Sequence, residues 1–221
     1  MYPYHPLHRH VSSQRNNKYT MKVKGEGSIS TSPDQAEITI GAVTEDPTVS
    51  TAQQENAGII GAITSSISGL GIPEDDIQTI EYRIETQYDY VDGKQVFRGY
   101  RVTHLLHITI DDIELTGQII DTAVSAGANS ISSIQFSLTN PHVIYNQALE
   151  LAIQDAQRKA ETIAQELGVN LDTPPKSIRE VTSETTPIPY KTALYAAAES
   201  TPIQPGTLSI LAKIEAEFYY G

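Results

Sequence analysis

The chain has 221 residues, 39% of them hydrophobic, with 27 acidic against 15 basic side chains and a formal charge of −12. That length supports one large domain or two small ones around a real core, and the anionic balance argues against a general nucleic-acid binder, whose surface would be rich in Lys and Arg. The absence of cysteine excludes disulfides, thiolate metal sites and thiol nucleophiles.

Charge is uneven along the chain. Residues 1–24 carry Arg9, Arg15, Lys18, Lys22 and Lys24 and no acid, which leaves 10 basic against 27 acidic side chains in the remainder. Residues 1–20 read as a flexible, basic, His-rich arm ahead of a folded body over 21–221. The arm has histidines and prolines where a secretory signal needs an apolar core, and no later stretch reaches the ~18 apolar residues of a membrane span. The expected location is therefore cytoplasmic. A further reading of the arm is salt-sensitive contact with an anionic surface.

In chain order, Val23 and Ile29 flank the two glycines in a polar stretch, Ser32-Pro33-Asp34 is turn chemistry, and Ala36, Ile38, Ile40 and Ala42 alternate with period two, which predicts a β-hairpin. Ser50 and Gln53 have capping-box spacing before a helix whose stripe is Ile60, Ile63, Ile67 and Leu70; Gly71 and Pro73 end it. Ile80, Tyr82, Ile84, Thr86, Tyr88 and Tyr90 share one strand face. Asp92-Gly93-Lys94 turns the chain, and Tyr100, Val102, His104, Leu106, Ile108 and Ile110 form the inner face of the return strand. A second helix spans about 112–126, capped by Asp111 or Asp112, and a strand follows with Ile134, Phe136 and Leu138 inward. Asn140-Pro141 opens a long helix to Gly168, whose alanine-rich stripe permits close packing on a sheet. Short and long strands at 177–182 and near 207–220 close the chain, separated by a proline-rich loop at 183–206. The predicted class is α+β, with about seven strands in antiparallel sheets and three main helices in the order strand-strand-helix-strand-strand-helix-strand-helix-strand-strand.

Gly25 and Gly27 raise the question of a phosphate loop. A dinucleotide fingerprint needs a third glycine and a following helix, and neither is here; no Gly-Lys-Ser/Thr follows either. Glycines inside a strand instead mark a bulge or a close backbone approach. Together with their setting, "KGEGSISTSPDQAEITIGAVTE", the helix "ALELAIQDAQRKAETIAQELG" and the late "TPIQPGTLSILAKIEAEFYY" occur in the order of the SIMPL-domain family, which the chain resembles over 21–221. The resemblance implies helices packed on antiparallel sheet and homo-oligomers of ring-like form. It also implies loose links to oxidative-stress protection and to a kinase partner, and brings no catalytic residues. Many members look like envelope proteins with a signal peptide, and the His-rich leader departs from that pattern.

Candidate chemistry is sparse. His104 and His107 lie three apart on a strand, so they face opposite sides and cannot share an ion; His104 reads as a hydrogen-bonded core histidine. His142 has no partner in sequence, and His5, His8 and His10 lack an element to fix a metal geometry. The pairs Glu45-Asp46, Asp75-Asp76 and Asp111-Asp112 abut turns and helix starts, where carboxylates cap N–H groups. No nucleophile elbow occurs. No catalytic, cofactor or metal residue is therefore assigned. Within the long loop, Tyr190, Leu194 and Tyr195 are apolar residues in polar surroundings and are expected to make an intersubunit or partner contact. "PIQP" at 202–205 reads as a rigid turn that presets the last strand. The functional expectation is a non-enzymatic, self-assembling interaction protein; the alternative is a small-molecule-binding or redox-protective enzyme built from scattered residues such as His104.

Overall fold

The computed structural model describes residues 18–181, 188–190 and 201–221. Its elements are β1 (Tyr19–Thr31), β2 (Gln35–Asp46), α1 (Val49–Ser68), β3 (Ile77–Val91), β4 (Lys94–Ile110), α2 (Thr116–Ser125), β5 (Ser130–Ser137), α3 (Pro141–Leu167), β6 (Ser177–Val181), β7 (Ile188–Tyr190) and β8 (Thr207–Tyr220). The expected strands and helices are present in the expected order, and the class is α+β. The addition is β7, three residues long, which pairs antiparallel with the start of β8. Proline-rich sequence hid it: Pro189 removes a ladder donor, as is tolerated on an edge strand.

The strands form two sheets, one ordered β1-β8-β6 with β7 also on β8, the other ordered β3-β4-β2-β5. This corrects the predicted first hairpin. β1 and β2 follow one another across Ser32–Asp34 yet lie in different sheets, β1 against β8 and β2 between β4 and β5. Alternation tells which face of a strand is buried, not which strand it pairs with. The link itself is tied to the end of β5: the Asp34 N–H donates to Ser137 O at 3.2 Å, and Asp34 Oδ1 accepts from the Thr139 N–H at 2.7 Å.

By contacts the chain divides into two compact units. Of the described residues, one comprises 18–28, 145–181 and 211–221; the other comprises 29–144, 188–190 and 201–210. In the first unit, α3 lies directly on β1. A Cβ placed on Gly25 would stand 2.0 Å from Ala152 O, and one on Gly27 would stand 2.1 Å from Ala148 O. Ala148, Ala152, Ala156, Ala160 and Ala164 are the buried face of the helix, so small residues on both sides let backbone meet backbone. The glycines thus serve the close approach the strand reading required. At the polar margin of this seat, Asp155 accepts from the Glu26 N–H at 3.0 Å and pairs with Lys159 Nζ at 2.6 Å, while Lys159 also donates to Lys24 O at 3.0 Å.

The second unit is built on large aliphatic side chains. Ala36, Ile38, Ile40 and Ala42 of β2 and Leu106, Ile108 and Ile110 of β4 pack with Ile60, Ile63 and Ile67 of α1 and with Ile119, Ile120 and Ala123 of α2. α1 begins two residues earlier than the Ser50–Gln53 box implies. Its N-cap is Thr48, with no side-chain cap bond, and Asp46 Oδ1 instead accepts from the Thr48 N–H at 2.7 Å. Gly71 has φ +96° just past the helix, the left-handed exit expected of it. Asn56 is buried, and its Nδ2 donates to Ala42 O at 2.9 Å and Val102 O at 3.3 Å, which ties α1 to the two central strands. Among the described residues no helix is long and apolar enough to cross a membrane.

Candidate interaction surface

β3 and β4 form a hairpin of 15- and 17-residue strands turned by Asp92 (φ 51°) and Gly93 (φ 76°). Two consecutive residues with positive φ fit the I′ turn, whose twist matches that of the strands it joins. At ~3.3 Å per residue, strands of this length reach about 50 Å, whereas a 20-residue helix such as α1 spans about 30 Å. α1 packs on β2 and β4. Its length leaves part of the hairpin face without helical cover.

What lies there is apolar and aromatic. Register places Tyr82 opposite His104, Ile84 opposite Val102, Thr86 opposite Tyr100 and Tyr88 opposite Phe97, all on one face. Val102 is fully buried, yet Tyr82 is 48% exposed, Ile84 39%, Tyr88 45% and Phe97 47%. The rings touch one another edge to face: Tyr82 on His104 at 5.2 Å, Phe97 on Tyr100 at 5.3 Å and Tyr88 on Phe97 at 6.0 Å. β3 is also a sheet edge, and among the described residues no strand pairs with its outer side. It has neither the lysine nor the proline that commonly blunts such an edge, and it is not short.

Beside this strip is a cleft of about 260 Å³ lined by Glu45, Asp46, Pro47, Gln87, Arg98, Gly99 and Tyr100. Glu45 is held between two cations: Arg98 donates to Oε2, and Arg101 Nε donates to Oε1 at 2.6 Å. Gly99 is required here, because its Cβ would lie 2.7 Å from Asp46 O.

The residues singled out from sequence are scattered. His104 lies on the helix-bearing face, half-buried, with Nε2 3.0 Å from Thr79 Oγ1; burial lowers its pKa below the usual imidazole value. Its ring and its nitrogen are both engaged in packing and hydrogen bonding, as a structural histidine's would be. His107 lies on the opposite face, Nε2 3.7 Å from Glu37 Oε2, and His142 is exposed at the start of α3. His5, His8 and His10 lie outside the described residues, and so do Leu194 and Tyr195. Tyr190 ends β7, its backbone opposite Thr207. Beyond the undescribed stretch, Thr201 is anchored in the second unit. Its N–H and Oγ1 donate to the two oxygens of Asp121 at 3.0 and 2.5 Å, and these bonds, the hydroxyl's first, lower the Asp121 pKa. Ile203 packs against the aliphatic core, and Gly206, at φ +69°, admits the chain to β8. Of the acidic pairs, Asp112 caps locally, its Oδ1 accepting from the Glu114 N–H at 3.1 Å, whereas Asp111 Oδ1 accepts from the distant Gln35 Nε2 at 3.0 Å.

Two close-packed units, glycine on alanine in one and isoleucine on isoleucine in the other, thus carry the three stretches that set the sequence apart. The profile of the SIMPL family, described as a protein of unknown function (DUF541), matches residues 21–218. This chain belongs to the SIMPL family. Among curated SIMPL-related proteins it is similar to the uncharacterized protein YggE of Edwardsiella ictaluri, 30% identical over 179 residues that cover 80% of this chain and 73% of the relative. It is 28% identical over 207 residues to the 26 kDa periplasmic immunogenic protein of Brucella melitensis, covering 89% of this chain and 82% of that one. YggE of Escherichia coli K12 is 26% identical over 140 residues, 63% of this chain and 57% of the relative.

The aromatic strip is the surface that sequence reasoning passed over. Its residues were legible as one strand face, but not as uncovered. The available signal was length: two strands of this extent cannot be roofed by one helix of the size that precedes them.

Proposed function

We propose that this SIMPL protein works without chemistry of its own, as a self-assembling protein whose folded body provides the contacts between copies. The observation that carries this reading is the exposed strip of Tyr82, Ile84 and Tyr88 on a long edge strand that has neither Lys nor Pro, with Phe97 beside it on β4. Contiguous exposed apolar surface mainly marks interaction sites, and an open strand edge is a template for another strand. His104 fits the reading, since Thr79 Oγ1 engages its Nε2 and Tyr82 packs edge-on against its ring.

The test is the solution mass of the full chain by light scattering at two salt concentrations. The expected result is a discrete mass at a multiple of the monomer. Replacement of both Tyr82 and Phe97 by Ser is expected to lower that mass while leaving the circular dichroism unchanged. A monomer at every concentration would overturn the assembly reading.

A further inference from the structure

We propose that the occupant of the β3 edge is β3 of a second copy, paired antiparallel about a two-fold axis at Ile84. The inference rests on the self-assembly reading and adds the surface and the register. β3 keeps an unbroken ladder with β4 from Glu81 to Gln87. At one end Ile80 has no partner on β4, and at the other Arg98 has none on β3. The first bulge bends β3 itself and the second, carried by β4, increases the local twist of the pair, so the evenly paired segment of β3 is 81–87, and Ile84 is its centre.

Charge selects the same centre. With Ile84 opposite its own copy, Arg83 of each chain faces Glu85 of the other, and Tyr82 faces Thr86. The contact therefore contains two opposite-charge pairs and a central aliphatic pair. A centre at Arg83 would set Arg83 on Arg83 and Glu81 on Glu85. A centre at Glu85 would set Glu85 on itself and Glu81 on Asp89. Like charges directly opposite one another destabilise a pair of strands. A centre at Tyr82 brings the bulged Ile80 into the ladder, opposite Ile84, and one at Thr86 carries the ladder past Gln87, where the Arg98 bulge of β4 adds twist. Within each chain Arg83 already bridges Glu81 at 3.0 Å and Glu85 at 3.4 Å, so the guanidinium lies along the strand surface it would share. A two-fold axis perpendicular to the sheet keeps Tyr82, Ile84 and Thr86 of both copies on one face. Two four-stranded sheets then become a single sheet of eight strands. A foreign strand would have no need of this palindromic charge order.

The absence of cysteine makes the register directly readable, since Ile84→Cys gives the full chain its sole thiol. Directly opposed residues of antiparallel strands have Cα atoms about 4.5–5.5 Å apart, within disulfide reach. Mild oxidation with diamide is expected to convert Ile84→Cys into a covalent dimer on a non-reducing gel. Tyr82→Cys alone is expected to stay unlinked, because its two copies are offset by about 13 Å along the strands, while Tyr82→Cys mixed with Thr86→Cys links as a mixed dimer. Arg83→Glu is expected to lower the solution mass, and adding Glu85→Arg to restore it. If the wild-type chain assembles but Ile84→Cys links no better than Tyr82→Cys, or the double swap fails to restore mass, the register is wrong and self-assembly stands. If the chain is monomeric alone and gains mass only with a foreign protein, both readings fall.

Discussion

Strand β1 meets helix α3 through glycine and alanine, whereas β2 and β4 meet α1 and α2 through isoleucine. In the first region the contact is backbone on backbone. Little apolar area is available per residue, and stability depends on nothing intruding. In the second the backbones are held apart by branched side chains that fill the space between them, and stability depends on nothing being removed. The two errors a substitution can make, adding volume and deleting it, therefore fall on different halves of the molecule.

The largest expected effect is deletion in the aliphatic region. Ile63 is fully buried, and Ile63→Ala should cost about 4 kcal/mol in urea unfolding, of which the cavity is a large part. Gly27→Ala adds one carbon only, yet that carbon meets Ala148 O at 2.1 Å and Ala152 N at 2.6 Å, both backbone atoms. A loss of about 2–3 kcal/mol is expected there. The comparison breaks if Gly27→Ala is neutral or stabilising, as replacing a strand glycine on an open face would be.

Each region also holds a titrating group that sharpens the contrast. Tyr145 of α3 donates to Glu180, and this bond, with burial and the nearby carboxylate charge, raises its pKa to about 12. The unfolded chain ionises first, near the ordinary value of 10.0, so the stability this group contributes is intact below that pH and is lost as pH climbs towards about 12. Tyr145→Phe should remove a phenolate component near pH 12 from an ultraviolet titration. His104, in the aliphatic region, behaves in the opposite sense. Burial lowers its pKa from 6.5, so below that pH the unfolded chain takes up a proton that the folded one resists, and stability declines on acidification. In His104→Gln the stability should fall less between pH 7 and pH 5. An unchanged slope would mean that the ring is no burden to the fold.

Much of this architecture was legible because local patterns are strong. The stripe of Ile60, Ile63 and Ile67, the Asp92-Gly93 turn and the alanine face of α3 each follow from one period or one dipeptide. The β1–β2 hairpin failed for a reason equally physical. The strand that claims β1 is β8, which arrives almost at the end of the chain, and β2 is taken on one side by β4 and on the other by β5. Sequence alternation carries no label for a partner that distant. The interaction surface was half-visible: the shared face of Tyr82, Ile84 and Tyr88 could be read, but its exposure depends on where a helix stops, which is a property of the packed structure.

The spacing of the two glycines has a consequence of its own. Two residues of strand advance about 6.7 Å and four residues of helix advance 6.0 Å, or about one glycine step per alanine step. The steps fall out of phase by ~0.7 Å each time, so the match holds over two positions and decays beyond them. β1 has two glycines on that face, with Val23 and Ile29 as the next residues on either side. A uniform alanine stripe has no features of its own to stop a helix from sliding along its axis. Here the strand acts as a vernier: it offers a single notch two glycines wide, and the axial position of a 27-residue helix is set by it.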